Sequence, residues 1–142
     1  MAGKKIKKIL VALDGSKNSF RALTKAITLA KLMNAQITGI FVVQAYPTEM
    51  GIVQTIVGNA LSKKCKNFMS IAKSKCKKNN VGFFDVIEYG EEGQTIVSLA
   101  EKNNYYMIVV GSRGMGMIKE AFLGSTSNYV VHTSKIPVLV VK

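Results

Sequence analysis

The stretch IKKILVALDGS, residues 6–16, begins with an apolar run and ends in a turn signal. The run from Ile6 to Leu13 is short and rich in branched residues, which is typical of a buried β-strand. The pair Asp14-Gly15 closes the run, and Ser16 or Asn18 can cap a helix that follows. The sequence therefore predicts a buried strand leading through a tight turn into a helix.

The same alternation of strand and helix continues to the end of the chain. Strands are predicted at 6–13, 37–43, 83–89, 105–110 and 137–141, and helices at about 16–34, 60–78, 93–102 and 125–133. Pro47, Gly51 and Gly58-Asn59 predict an irregular stretch before the second helix. Most strands are continuously apolar, which indicates a parallel sheet with helices on both faces. We therefore expect an α/β fold with a five-stranded parallel sheet, in one domain over residues 1–142.

The composition limits the class of protein. A length of 142 residues suits one domain, and 48% hydrophobic residues can form a substantial core. Cys65 and Cys76 are predicted to be core residues of one helix, not a metal set or a disulfide framework. The N-terminal apolar run is too short for a signal peptide, and no run is long enough for a membrane span. We expect a cytoplasmic protein.

The net charge of +12 would attract polyanions. The lysines, however, fall in separate clusters at 4–8, 63–66 and 73–78, and the last two are predicted to form the solvated face of a helix. Aromatic residues do not alternate with the lysines as a platform for single-stranded nucleic acid requires. The sequence therefore argues against nucleic acid as the partner, although a basic nucleic-acid-binding protein stays an alternative.

Two glycine-bearing segments carry the chemistry that can be predicted from the residues alone. GSRGMG, residues 111–116, directly follows the fourth strand, and GSTSN, residues 124–128, opens the last helix. Glycine lets a backbone approach a ligand closely, and a helix N-terminus with its N–H groups attracts anions. The same residues are also ordinary turn and cap residues. Phosphate binding and simple turns are therefore both open at this point.

Several enzyme classes lack their motifs here. The chain has no P-loop, and its first turn lacks the G-x-G-x-x-G of dinucleotide-binding enzymes. His132, the only histidine, falls near the end of the last helix, away from the glycine segments. No nucleophile with a base, paired carboxylates or metal cluster can be assembled. We therefore assign no catalytic residue.

Three parts of the sequence together resemble the universal stress protein family. They are ILVALDGS at 9–16, the spacing Gly111-x2-Gly114-x9-Gly124-Ser125, and IPVLVV at 136–141. The glycine spacing resembles the branch of that family that binds ATP. The resemblance implies a Rossmann-like domain that binds ATP with Mg²⁺ or Mn²⁺.

The resemblance also implies roles for individual residues. Ala12 would line the adenine pocket, Val42 would contact the adenine edge through its backbone, and Asp14 would bond the ribose or help hold the metal ion. Contacts to ribose and phosphates would come from the two glycine segments, through Gly111, Arg113 and Gly114 in the first and Gly124, Ser125, Thr126 and Ser127 in the second.

The residues themselves leave alternatives open for three of these assignments. Asp14 can equally be a turn carboxylate that caps the next helix, and Val42 can be a simple core residue. Arg113 can make a bidentate phosphate contact or point to solvent. These alternatives are decided by geometry and not by residue type.

The function that the resemblance implies is a regulatory stress-response module with little or no hydrolysis. Its ATP-bound and empty states would present different surfaces to partners, and it would form a homodimer through the last strand, residues 138–141. The enzymatic alternative is a slow nucleotide hydrolase that uses the same pocket with a metal at Asp14.

Overall fold

The computed structural model describes residues 5–44, 51–113 and 123–142, with only the backbone for residues 51–61. Within these residues, strands and helices alternate in the order β1 (Lys8–Ala12), α1 (Lys17–Met33), β2 (Gln36–Val43), α2 (Gly51–Lys78), β3 (Phe83–Tyr89), α3 (Glu92–Lys102), β4 (Met107–Gly111), α4 (Ser125–Thr133) and β5 (Val138–Val141).

The strands form one sheet in the order β3-β2-β1-β4-β5, and every neighbouring pair is parallel. This confirms the predicted α/β fold with a five-stranded parallel sheet. The chain moves outward from β1 through β2 to β3, and then returns to the other side of β1 to form β4 and β5. The strand order therefore reverses between β1 and β4, where sheets of this type leave a crevice beyond the strand ends.

The hydrophobic core lies on both faces of the sheet. Ile9 and Val11 of β1 belong to a cluster that α1 and α2 cover, and Leu10 belongs to a second cluster, with residues of α3 and α4. Alternate residues of a strand point to opposite faces, so a strand covered on both sides must be apolar at every position. Cys65 and Cys76 are buried in the first cluster as free thiols, which confirms their predicted place in the core.

The start of α1 confirms one of the two predicted caps. Ser16 is the N-cap, and its Oγ accepts a hydrogen bond from the Ser19 N–H at 3.1 Å. Asn18 instead lies inside the helix and is buried. Asn34 ends the helix in the left-handed conformation, with φ of 52°, which an asparagine side chain tolerates better than most.

The predicted start of the second helix is wrong. The structure begins α2 at Gly51, whereas the sequence indicated an irregular stretch up to residue 60. Gly58-Asn59 was read as a turn, but a glycine inside a helix costs only about 1 kcal/mol relative to alanine. Ile52, Val53, Ile56 and Val57 continue the helical spacing through it. Pro47 lies outside the described residues.

The expectation of continuously buried strands fails at β3. Phe84, Ile87 and Tyr89 are 57%, 39% and 70% exposed. β3 is at the edge of the sheet, next to β2 alone. An edge strand has one neighbour and fewer covering elements, so its apolar side chains stay in contact with water.

Candidate functional site

A cavity of about 430 Å³ lies where the strand order reverses, at the carboxyl ends of β1 and β4. Nine of the ten residues implied as ligand contacts line it, namely Ala12, Asp14, Val42, Gly111, Arg113, Gly124, Ser125, Thr126 and Ser127. The tenth, Gly114, lies outside the described residues. The structure thus brings together residues from both ends of the chain at one concave surface.

The turn after β1 places the carboxylate of Asp14 at this cavity. Its Oδ1 accepts a hydrogen bond from the Ser16 N–H at 2.8 Å, and Gly15 adopts a φ of +84° that favours glycine. Asp14 is therefore a turn carboxylate, but Ser16 and not Asp14 caps α1, and Asp14 also lines the cavity. The two roles coexist in one side chain.

Where the chain leaves β4, the backbone at Gly111 passes close to the side chain of Asn18. A Cβ added to Gly111 would lie 2.5 Å from Asn18 Oδ1. That Oδ1 accepts a hydrogen bond from the Arg113 N–H at 2.7 Å, while Asn18 Nδ2 donates to the Val141 carbonyl at 3.0 Å. The close approach that Gly111 allows in this structure is therefore to a buried amide of the protein itself.

The start of α4 joins the second glycine segment to the first. The Gly124 N–H donates to the Ser112 carbonyl at 2.7 Å, and the buried Ser127 hydroxyl lies 3.1 Å from the same oxygen and 3.0 Å from the Gly124 carbonyl. Gly124 is the N-cap and provides no side-chain hydrogen bond to the helix. The first-turn N–H groups of α4 therefore meet the cavity without a capping side chain, which is the arrangement that attracts anions.

Part of the cavity lining is apolar. Phe41 and Phe68 pack edge to face with ring centroids 5.2 Å apart, and Leu13 and Val42 are also among the lining residues. Val42 is only 8% exposed and belongs to the second core cluster, so its side chain is a core residue. A cavity lined by apolar aromatic side chains and by a helix N-terminus suits a ligand with a flat ring and an anionic group.

Charged side chains of both signs line the polar part of the cavity. They are Asp14, Lys64, Glu92 and Arg113. Burial raises the pKa of Glu92 above its ordinary value, a hydrogen bond with Thr126 opposes that rise, and the charges of Asp14 and Glu91 add to it. Glu92 therefore places a carboxyl group at the start of α4, beside the residues implied to hold phosphates.

Sequence reasoning missed three of the residues that shape this cavity. Glu92 follows β3, whereas the residues implied as ligand contacts lie on or after the first, second and fourth strands and at the start of the last helix. The start of a helix directly after a strand was the signal that could have found it. Lys64 lies in the middle of α2 among other lysines, and Asn18 lies inside α1, so neither position carried a local signal.

Other predicted features fall away from the cavity. His132 is exposed near the end of α4 and does not line it. Among the residues that the structure describes, no three His, Cys, Asp or Glu side chains form a group that could hold a metal ion. None of the helices in the described ranges is both long and apolar enough to span a membrane.

The family of the chain follows from comparison with known proteins. The sequence model of a family described as the universal stress protein family matches residues 5–142. The chain belongs to the universal stress protein family. This confirms the resemblance that the sequence motifs indicated.

Individual members of the universal stress protein family match over nearly the whole chain. Universal stress protein YxiE of Bacillus subtilis is 34% identical over 145 residues, which cover 95% of this chain and 98% of YxiE. The structure of universal stress protein UspA from Lactobacillus plantarum has a TM-score of 0.83 and 22% identity, and the match covers 99% of this chain and 100% of UspA.

Solved structures with this fold include a complex with a nucleotide. The universal stress protein from Archaeoglobus fulgidus in complex with dAMP has a TM-score of 0.75 at 19% identity, with 97% of this chain and 98% of that chain covered. At this identity the likeness shows a shared fold.

Proposed function

We propose that this universal stress protein binds an adenine nucleotide, ATP in the first place, in the cavity between β1 and β4. The observation that carries the proposal is that one cavity is lined both by the first turn of α4, with no capping side chain at Gly124, and by the aromatic side chains of Phe41 and Phe68. The aromatic side chains suit a base, and the helix N-terminus suits phosphates. A fold neighbour that binds dAMP supports an adenine base.

We assign the parts of the nucleotide to the lining residues as follows. Adenine lies against Ala12 and the backbone of Val42, and the ribose lies near Asp14. Gly111, Arg113 and Gly114 contact ribose and phosphates. At α4 we assign the phosphates to the backbone N–H groups of residues 125–127 and to the Ser125 hydroxyl, because the Gly124 N–H and the hydroxyls of Thr126 and Ser127 are used within the fold.

A magnesium ion fits this assignment as a companion of the phosphates. Mg²⁺ in nucleotide sites is commonly held by one or two carboxylates together with phosphate oxygens. Asp14 lines the cavity near the assigned ribose and supplies such a carboxylate. We propose that Asp14 and the phosphate oxygens would hold Mg²⁺ or Mn²⁺, which would neutralise phosphate charge there.

We propose a regulatory module and no efficient hydrolase. Asp14 Oδ1 and the Glu92 carboxyl already accept hydrogen bonds from Ser16 and Thr126, so we assign neither as a general base. In this proposal the chain is one domain over residues 1–142, acts in the cytoplasm, and pairs with a second copy through β5. β5 lies at the edge of the sheet and can pair across a two-fold axis.

The proposal is tested by calorimetric titration with ATP, AMP and GTP, with and without Mg²⁺. We expect ATP to bind and GTP to bind less well. Arg113→Gln should lower the affinity for ATP at least threefold and the affinity for AMP by less, because the guanidinium is assigned to the phosphate chain. Lys102→Gln removes the same charge from an exposed position at the end of α3 and should change neither. The proposal would be overturned if no adenine nucleotide, at millimolar concentration, gave a heat of binding.

A further inference from the structure

Charge is distributed very unevenly between the helices. α1 and α2 contain eleven of the twenty basic residues and none of the eight acidic ones. All eleven are exposed, and they are Lys17, Arg21, Lys25, Lys31, Lys63, Lys64, Lys66, Lys73, Lys75, Lys77 and Lys78. We refer to these eleven side chains as the basic face.

The topology places the cations of α1 beside the two lysine clusters of α2, at 63–66 and 73–78, while the cluster at 4–8 lies outside these helices. α1 and α2 both pack on the first core cluster, so they cover the same side of the sheet and contact each other. On the other side, α3 carries Glu92, Glu101 and Lys102, and α4 carries no Lys or Arg. The separation of the lysines along the chain was one of two reasons to argue against nucleic acid, and the packing of α1 on α2 removes it for the cations of these helices.

The basic face is long enough to follow a linear polyanion. At 1.5 Å per residue, the basic residues span about 21 Å of α1, from Lys17 to Lys31, and about 22 Å of α2, from Lys63 to Lys78. Lys17, Arg21 and Lys25 are four residues apart, so they form one row along α1, about 6 Å from one to the next. A nucleic-acid duplex carries a negative charge for about every 1.7 Å of its axis, so several phosphates would meet these rows.

The residue types favour a duplex backbone over the other anionic partners. Ten of the eleven cations are lysines, which contact phosphates as point charges and do not read bases bidentately as arginine does. The aromatic residues of α1 and the described part of α2 are the half-buried Phe20 and the buried Phe68, so a stacking platform for single strands is missing there. The apolar faces of α1 and of the part of α2 whose side chains are described are buried in the core, and the exposed Leu32 and Ile71 are single side chains that do not form a face able to insert into a bilayer.

We propose that the basic face of α1 and α2 binds the phosphate backbone of double-stranded nucleic acid without sequence preference. The proposal does not depend on nucleotide binding in the cavity. Lys64 belongs to the basic face and also lines the cavity, so it is left unchanged in the test.

The test is fluorescence anisotropy with a labelled DNA duplex two helical turns long, in NaCl from about 50 to 200 mM. The variant replaces Lys25, Lys66, Lys73 and Lys77 with Gln. Its matched control replaces Lys5, Lys102, Lys135 and Lys142, which are exposed outside the two helices, so both variants lose four charges. Circular dichroism checks that both are folded.

We expect salt-sensitive binding by the wild type and at least a tenfold loss in the basic-face variant. The slope of log affinity against log salt should flatten by about 3 to 4, because each phosphate contact contributes about 0.9. The control variant should lose less than threefold. Equal losses in both variants would show an effect of net charge alone and overturn the proposal, as would binding to vesicles of phosphatidylserine and phosphatidylcholine with none to the duplex.

Discussion

Asn18 accepts a hydrogen bond from the backbone N–H of Arg113 at 2.7 Å, across 95 residues of sequence. The same amide donates to the Val141 carbonyl, so one side chain of α1 holds both the exit of β4 and the end of β5. The cavity and the sheet edge proposed for dimerisation therefore share this buried amide, in addition to the pairing of β4 with β5.

Asn18→Ala should destabilise the protein by about 1–3 kcal/mol, because it leaves the Arg113 N–H without its partner and removes one of the two hydrogen bonds to the Val141 carbonyl, which keeps the one from the Ser112 N–H. Urea denaturation monitored by circular dichroism measures the change. Asn67→Ala, at an exposed position of α2, is the control and should lie within about 0.5 kcal/mol of the wild type. Equal stability of Asn18→Ala and the wild type would contradict the role given to this amide.

Gly111→Ala should destabilise the protein and weaken nucleotide binding, since its Cβ would lie 2.5 Å from Asn18 Oδ1 and 3.2 Å from the Asn18 carbonyl oxygen. Part of the clash is with a side chain, so the double variant with Asn18→Ala should lose less stability than the two single losses added together. Gly82→Ala is the control, because its new Cβ would meet only the flexible Gln36 side chain, at 3.3 Å. Strict additivity in the double variant would argue against this contact.

Glu92→Gln should change how stability depends on pH. The pKa of Glu92 is raised in the folded protein, chiefly by burial, so the unfolded chain loses this proton first as the pH rises. The wild type should therefore lose stability relative to Glu92→Gln as the pH rises above the ordinary glutamate pKa. Urea midpoints of both proteins across pH 4–7 test this, and parallel curves would contradict it. Glu88→Gln, on the edge strand β3, serves as the control.

Glu92→Gln should also strengthen ATP binding at neutral pH, by roughly threefold to tenfold in the absence of Mg²⁺. The Glu92 carboxyl interacts with Thr126, where the phosphates are assigned, and an ionised carboxylate there repels them. Glutamine keeps the size of the side chain and removes its charge. Calorimetry with ATP and with adenosine separates the effects, since adenosine has no phosphate and should bind both proteins equally. Weaker ATP binding by the variant would show that the carboxylate assists the phosphates.

The sequence predicted those elements whose signals are local. α4 begins at Ser125 and β3 spans residues 83–89, both as expected. The residues that indicate these elements, Gly124 and the branched residues around Val86, lie within the elements or next to them in the sequence. The start of α2 was missed because a glycine signal was given more weight than the apolar spacing around it. The sequence predicted where the site lies, but not all of the side chains whose contacts form it. Lys64 and Glu92 reach the cavity, and Asn18 reaches the backbone of Arg113 beside it, only through the packing of distant elements, which no local pattern records.

The bond between the Gly124 N–H and the Ser112 carbonyl has a practical consequence for protein engineering. This bond holds the end of β4 next to the start of α4, the two points between which residues 114–122 lie in the sequence. Doubling the length of a segment closed in this way costs only about 0.6 kcal/mol. Exchanging residues 114–122 for stretches of other lengths and compositions is therefore a direct route to variants with altered ligand preference on an unchanged scaffold.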